Sequence, residues 1–109
     1  MSWKKGCAVA PGRIRLDLND PEFQDDLFAL TKEQQTNLLG TLRKFSQMSW
    51  DQVYRDAGLK WEVVVSRLGP HGERLYSFRI GKGFRALAFR QGDSLKILSL
   101  HPDHDSAYK

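Results

Sequence analysis

The sequence predicts a two-layer α+β domain in which an antiparallel sheet carries two or three helices on one face. Three observations support this fold class. The elements read in the order strand, helices and then three or four strands. Glycine-containing turns separate those last strands, and strands joined by short turns are antiparallel neighbours. The helices carry apolar residues at helical spacing, so they must cover one sheet face, and the other face is expected to hold any ligand.

Length and composition fit one small soluble domain. The chain has 109 residues, of which 40% are hydrophobic and 28% charged, and a core of that size needs no metal or disulfide. No apolar run approaches the roughly 18 residues that cross a bilayer, so no membrane association is expected. Cys7 is the single cysteine, which agrees with a reducing cytoplasm. The net charge of +4 favours polyanionic partners.

The first strand follows an irregular segment. Residues 1–12 lack periodicity and end in Pro11 and Gly12, which predicts a flexible N-terminal arm ahead of a single domain over residues 13–109. Residues 13–18 alternate polar and apolar side chains, as a half-buried strand does.

Capping residues mark the starts of three helices. Asp20 followed by Pro21 is typical of a first turn. Thr31 and Ser49 each stand three residues before a glutamine, which predicts two capping boxes. The predicted helices cover residues 21–30, 32–45 and 50–57. Their buried sides are expected to carry Phe23, Leu27, Leu30, Leu38, Leu39, Leu42, Phe45, Trp50, Val53, Tyr54 and Ala57.

The rest of the chain predicts four strands. A run of three valines after Trp61 favours a buried strand, with a helical extension through Leu59 as the alternative. Turns at residues 69–72, 81–83 and 92–93 then separate the remaining elements. The predicted strands cover residues 61–66, 74–80, 84–91 and 95–101.

Two arginines interrupt the apolar strands on either side of one turn. Arg79 and Arg85 approach each other across it, and guanidinium groups offer phosphate oxygens a rigid fork of donors. The alternative is that they are solvated or are paired with Asp or Glu. In an anion site, Lys82 of the turn and Arg13 and Arg15 of the first strand would add contacts to the substrate.

The segment His101-Pro102-Asp103-His104-Asp105 concentrates titratable side chains. Histidine exchanges protons near neutrality, and the aspartates can cap a last helical turn. Metal binding is a third interpretation, but the remaining histidine, His71, lies in a distant turn, so no metal or other cofactor is expected. Tyr108 offers an aromatic face for stacking on a base.

Residues 76–108 together resemble the RelE/ParE superfamily of toxins from bacterial toxin–antitoxin pairs. Two helices ahead of the sheet agree with that family, and the resemblance implies a RelE/ParE-like fold. The matching residues are Arg79-Ile80-Gly81, Gly83-Phe84-Arg85 with the apolar strand to Phe89, the turn Gly92-Asp93, the strand from Leu95 to Leu100, and then His101, His104 and Tyr108.

The resemblance implies an endoribonuclease that cleaves messenger RNA and inhibits translation. Ribonuclease members of the family use arginine, histidine or lysine, and tyrosine, and they need no metal. By resemblance, Arg85 would stabilise the phosphate with support from Arg79. His101, His104 and Tyr108 would provide acid–base chemistry and base stacking. The implied partners are RNA, on the ribosome, and an acidic antitoxin protein.

Two alternatives share these residues. A non-catalytic relative would inhibit a protein target such as gyrase, or bind nucleic acid without cutting it, on the same fold. A metal-binding domain would use residues 101–105. Asp103 and Asp105, on either side of His104, depart from the family pattern. Their carboxylates would repel RNA unless they orient His104.

Overall fold

The computed structural model describes residues 13–102, which form a five-stranded sheet with three helices on one face. The strand order across the sheet is β1-β5-β4-β3-β2. This arrangement confirms the predicted α+β class. In chain order the elements are β1 (Arg15–Asp17), α1 (Pro21–Ala29), α2 (Lys32–Ser46), α3 (Trp50–Arg55), β2 (Glu62–Leu68), β3 (Arg74–Gly81), β4 (Phe84–Gln91) and β5 (Ser94–His101).

One strand pairing corrects the prediction of a wholly antiparallel sheet. Strands β2 to β5 are antiparallel neighbours in sequence order, as their connecting turns predict. Strand β1 instead pairs with β5 in parallel, with Arg15 opposite Ser94. No hairpin joins these two strands, because three helices and three strands separate them along the chain. The direction of β1 is therefore set by tertiary packing, and the sheet is mixed.

Local capping interactions fix where the helices begin. Thr31 Oγ1 accepts a hydrogen bond from Gln34 N at 3.2 Å, and Gln34 Oε1 accepts one from Thr31 N at 2.9 Å. Ser49 and Gln52 form the same reciprocal pair. Both capping boxes are therefore confirmed. Helix α3 ends at Arg55, earlier than predicted, and no helix extends through Leu59.

The main core lies between the helices and the sheet. Phe45 of α2 packs edge-on against Phe78 of β3, with ring centroids 4.8 Å apart, and Trp61 stacks on Tyr76 at an interplanar angle of 12°. The core also contains the buried residues Ile14, Phe23, Leu30, Leu38, Leu42, Trp50, Val53, Leu59, Phe84, Ala86, Ala88, Leu95, Ile97 and Leu100.

Three residues predicted to be buried are exposed. Leu39 is 62% exposed, because the buried stripe of α2 runs through the neighbouring Leu38 and a helix turns about 100° per residue. Tyr54 is 54% exposed, and its hydroxyl accepts a hydrogen bond from Arg90 Nη1 at 2.9 Å. Ala57 is exposed as well, because it lies beyond the end of α3.

A second, smaller core covers part of the sheet face opposite the helices. It consists of Val64, Leu75, Leu87, Phe89 and Leu98, all of them buried. Side chains alternate between the two faces along a strand. Residues that share this face further along β3, β4 and β5 are polar, so the smaller core stops where the candidate site begins.

Phe78 and Phe28 give a matched test of this packing. Phe78 is 0% exposed and Phe28 is 77% exposed. We expect Phe78→Ala to lower the free energy of unfolding by about 3–5 kcal/mol, because it leaves a cavity in the main core. Phe28→Ala should change it by less than about 0.5 kcal/mol. Urea denaturation followed by circular dichroism measures both, and equal losses would contradict this division between core and surface.

Candidate functional site

The register of the three strands β3, β4 and β5 places two arginines and a histidine side by side. Arg85 of β4 lies opposite Arg79 of β3 on one side and opposite His101 of β5 on the other. Residues that face one another in neighbouring strands point to the same side of the sheet. Arg85 alternates with Phe84 and Ala86 of the main core, so these three residues lie on the face opposite the helices. We call them the cross-strand row.

Arg85 is held inside the protein by three oxygen atoms. The residue is 6% exposed. Its Nη2 donates to Ser77 Oγ at 2.9 Å, to the Lys60 carbonyl at 3.2 Å and to Glu62 Oε1 at 3.5 Å. Nε is also buried and has no hydrogen-bond partner within residues 13–102. Arg85 therefore extends from β4 across β3 to the start of β2.

The segment held by Arg85 has an unusual backbone. Lys60 adopts a φ of +50°, in the left-handed region that residues other than glycine rarely occupy. Two hydrogen bonds fix the adjacent Leu59, whose carbonyl accepts from Arg79 N at 2.7 Å and whose N–H donates to Asp56 Oδ1 at 3.0 Å. The Arg85 contact to the next carbonyl stabilises the same turn, so the arginine shapes the edge of the site.

His101 is paired with a buried serine. Its Nε2 lies 2.8 Å from Ser99 Oγ, and Ser99 is 2% exposed. Burial lowers the pKa of His101 from its ordinary value of 6.5, with a smaller lowering by Arg67, while the carboxylates of Asp26 and Glu22 act to raise it. Because burial dominates, the imidazole is neutral at pH 7 and can accept a proton.

A cavity of about 280 Å³ adjoins the row. It lies between the start of α1 and the β2–β3 hairpin, and Ser99 forms part of its wall. Helix α1 is attached to β5 beside it, because Asp26 Oδ2 accepts a hydrogen bond from Leu100 N at 2.9 Å. The lining residues are Asp20, Glu22, Arg67, Leu68, Gly69, Pro70, Leu75, Leu98 and Ser99.

The remaining predicted substrate-binding cations separate into two groups. Lys82 is exposed in the β3–β4 turn, at the same end of the sheet as the row. Arg13 and Arg15 are exposed at the other end. Arg15 pairs with Ser94, at the opposite end of β5 from His101, which is roughly 20 Å away at the rise of an extended strand. One bound phosphate therefore cannot contact both groups.

Several predicted features lie outside the described residues. These are the flexible arm over residues 1–12, the carboxylates of Asp103 and Asp105, and the side chains of His104 and Tyr108. Within residues 13–102, no group of three or more His, Cys, Asp or Glu side chains is placed to hold a metal ion. No helix in that range is long and apolar enough to cross a membrane.

The structure adds four residues that the sequence analysis did not single out. Ser77 and Ser99 could have been noticed in the sequence, because each is a small polar residue between two apolar or aromatic residues of a strand. Glu62 and Asp26 could not have been found from local sequence. Glu62 contacts Arg85, and Asp26 contacts Leu100 next to His101, each from an element distant in sequence.

Comparison with known proteins identifies the fold. No protein-family model and no curated protein sequence matches the chain. A chain of the archaeal RelE–RelB complex from Pyrococcus horikoshii OT3 matches with a TM-score of 0.51 and 22% identity, over 83% of this chain and 92% of that chain. A copper-bound mutant toxin from Helicobacter pylori matches with a TM-score of 0.47 and 17% identity, over 86% and 96%.

The protein thus has a RelE-like fold. This confirms the fold that the resemblance implies. At this level of identity the similarity defines the fold alone, and the chemistry has to be argued from the cross-strand row.

Arg85 and Arg79 should differ in their effect on stability. Arg85→Ala leaves the buried Ser77 hydroxyl without its donor and releases the Lys60 turn, so we expect a loss of about 1–3 kcal/mol in the free energy of unfolding. Arg79 is exposed, and Arg79→Ala should stay within about 0.5 kcal/mol. Chemical denaturation of both variants tests this, and an Arg85→Ala protein as stable as Arg79→Ala would show that the network adds nothing.

The lowered pKa of His101 predicts a pH dependence of stability. Well above pH 6.5 the ring is neutral in both the folded and the unfolded state. As the pH falls from 6.5 through the lowered folded pKa, the unfolded chain binds more protons, so folded stability is lost. His101→Gln should remove this part of the loss, whereas His71→Gln, in an exposed turn, should keep it. Melting curves between pH 4.5 and 8 on all three proteins measure the difference, and identical curves would refute the assignment.

Proposed function

We propose that this protein is the toxin of a toxin–antitoxin pair and acts as a metal-independent endoribonuclease on messenger RNA. The observation that carries the proposal is the cross-strand row, in which two arginines and a histidine occupy facing positions on one sheet face of a RelE-like fold. Cleavage of RNA without a metal needs a base for the 2′-hydroxyl, cations for the charge on phosphorus, and an acid for the leaving oxygen. The row supports the first two of these requirements.

His101 is the proposed general base. Burial keeps its pKa below the ordinary value, so the ring is neutral and can take the proton of a 2′-hydroxyl. The freed oxygen attacks the adjacent phosphorus, and the bond from phosphorus to the 5′-oxygen breaks. The products are a 2′,3′-cyclic phosphate on one fragment and a 5′-hydroxyl on the other. Under this proposal the cleavage rate falls as His101 becomes protonated.

The arginines are the proposed phosphate site. Arg79 is exposed and would contact the phosphate oxygens directly. Nη2 of Arg85 donates its hydrogen bonds to oxygen atoms of the protein. Arg85 would therefore stabilise the transition state by its charge, acting from one strand spacing away. His104 and Tyr108 remain, by resemblance, the proposed acid and base-stacking residues. Lys82 is proposed to bind the next phosphate.

We also propose an acidic antitoxin as the protein partner. The Pyrococcus horikoshii neighbour is a complex of RelE with RelB, and the net charge of +4 of this chain suits an acidic segment. Such a segment would cover Arg79 and Arg85 and exclude RNA. The proposed site of action is the ribosome in the cytoplasm.

One observation favours a second candidate, a toxin that binds its target without cutting it. Nη2 of Arg85 is engaged by internal partners, as in a structural arginine, which weakens its availability to a substrate. In that case the exposed cations would serve recognition alone. The target would be a nucleic acid or a protein such as gyrase.

Cleavage assays separate the two candidates. We expect Arg79→Ala to reduce the cleavage rate by about 10²-fold, because an oriented donor to the transition-state charge is lost. His101→Gln should reduce it at least as much, while Arg15→Ala, at the far end of the sheet, should cleave as the wild type does. Sequencing of 5′-hydroxyl RNA ends after induced expression, with purified ribosomes and RNA as the in vitro counterpart, provides the measurement. Growth arrest without new RNA ends would support the non-cutting candidate instead.

A further inference from the structure

Ser99 occupies the junction between the cross-strand row and the adjoining cavity. It stands two positions before His101 on β5 and shares its face, and it belongs to the cavity wall. Its neighbours Leu98 and Leu100 are both buried and apolar. Burying a hydroxyl group in such a position lowers the stability of the fold unless the group forms a hydrogen bond. Its Oγ lies 2.8 Å from Nε2 of His101, which supplies that bond.

We propose that Ser99 is the positioning residue of His101, and that Ser99 Oγ accepts a hydrogen bond from the Nε2–H of the ring. The bond fixes the direction of the imidazole and places its lone pair on Nδ1. Nδ1 then takes the proton from the substrate hydroxyl. This inference rests on the proposed ribonuclease function and adds to it a residue that the resemblance does not supply.

The chemistry of proton transfer gives this bond a role beyond packing. When Nδ1 accepts a proton, the ring becomes a cation, and a hydrogen bond from a charged donor is stronger than one from a neutral donor. Ser99 therefore stabilises the imidazolium that forms during the reaction. A carboxylate plays this part where a histidine base is oriented by an acid; here the orienting atom is a hydroxyl oxygen.

The charges around the ring are consistent with a cation that forms only transiently. Asp26 and Glu22 approach from α1 and favour the imidazolium, while Arg67 from β2 opposes it. Arg85 lies opposite His101 on β4, but its guanidinium extends across β3 to β2, away from the ring. Burial outweighs the carboxylates, so the resting ring is neutral and gains its charge as the substrate gives up its proton.

Two variants of Ser99 separate positioning from packing. Ser99→Ala removes the oxygen with little change in volume, and Ser99→Thr keeps it. We expect Ser99→Ala to reduce kcat about tenfold with an unchanged KM, because the serine acts through His101 and does not touch the substrate. Ser99→Thr should recover most of the wild-type kcat. Ser66→Ala, at an exposed position of β2, is the matched control.

Nuclear magnetic resonance provides the readout that does not depend on cleavage. Removing the acceptor destabilises the imidazolium, so Ser99→Ala should lower the pKa of His101 further, as followed by the ring C–H signal, and Ser99→Thr should restore it. The acidic limb of the pH–rate profile should move to lower pH in the same variant. A His101 pKa that is unchanged or raised in Ser99→Ala, or a Ser99→Thr protein as impaired as Ser99→Ala, would overturn the proposal.

The two proposals fail in different ways. If the wild-type protein cuts no RNA, the ribonuclease function is refuted, and with it any role of Ser99 in that reaction, while the titration still decides whether Ser99 holds the ring. If the wild type cuts RNA and neither kcat nor the titration responds to Ser99→Ala, the ribonuclease function stands and the positioning role is refuted.

Discussion

The hydrogen bonds of Arg85 are the constraint on which the site depends. One guanidinium nitrogen joins β4 to two other pieces of chain, because it binds Ser77 of β3 and, at the start of β2, the Lys60 carbonyl and Glu62. Strand β2 is an edge strand, and its register with β3 is irregular between Val63 and Leu68. The side-chain hydrogen bonds of Arg85 therefore help to hold β2 against β3, where the irregular pairing interrupts the backbone hydrogen bonds.

The same interaction resolves a conflict of charge. Like charges placed directly opposite on neighbouring strands repel one another, and the register sets Arg79 against Arg85. Arg85 turns toward β2, where oxygen atoms surround its Nη2, and Arg79 remains in solvent. The pair is thus divided into a buried cation that organises the sheet and an exposed cation that is available to a ligand. The local dielectric differs between the two, so their contributions to stability and to binding differ as well.

Local interactions explain which parts of this arrangement the sequence predicts. The two capping boxes lie within four residues each, and both form as expected. The opposed positions of Arg79 and Arg85 follow from the one short turn that joins β3 to β4. The parallel pairing of β1 does not follow, because its partner lies at the other end of the described chain. The position of His101 in the row depends on an irregularity in the pairing of β4 with β5. The position of Asp26 next to β5 depends on how α1 packs against that strand. These are tertiary effects with no local pattern.

The position of β5 inside the sheet has a consequence for the synthesis of the protein. The strand is the last to leave the ribosome of those described, yet it lies between β1 and β4 and contributes Leu95, Ile97 and Leu100 to the main core. A nascent chain that lacks it has no partner for β1 and leaves one side of β4 unpaired, so the long-range contacts of β5 form last. The row also lacks His101 until then. A truncated translation product would therefore lack both the complete sheet and His101, so any activity of this site begins only after β5 has been synthesised.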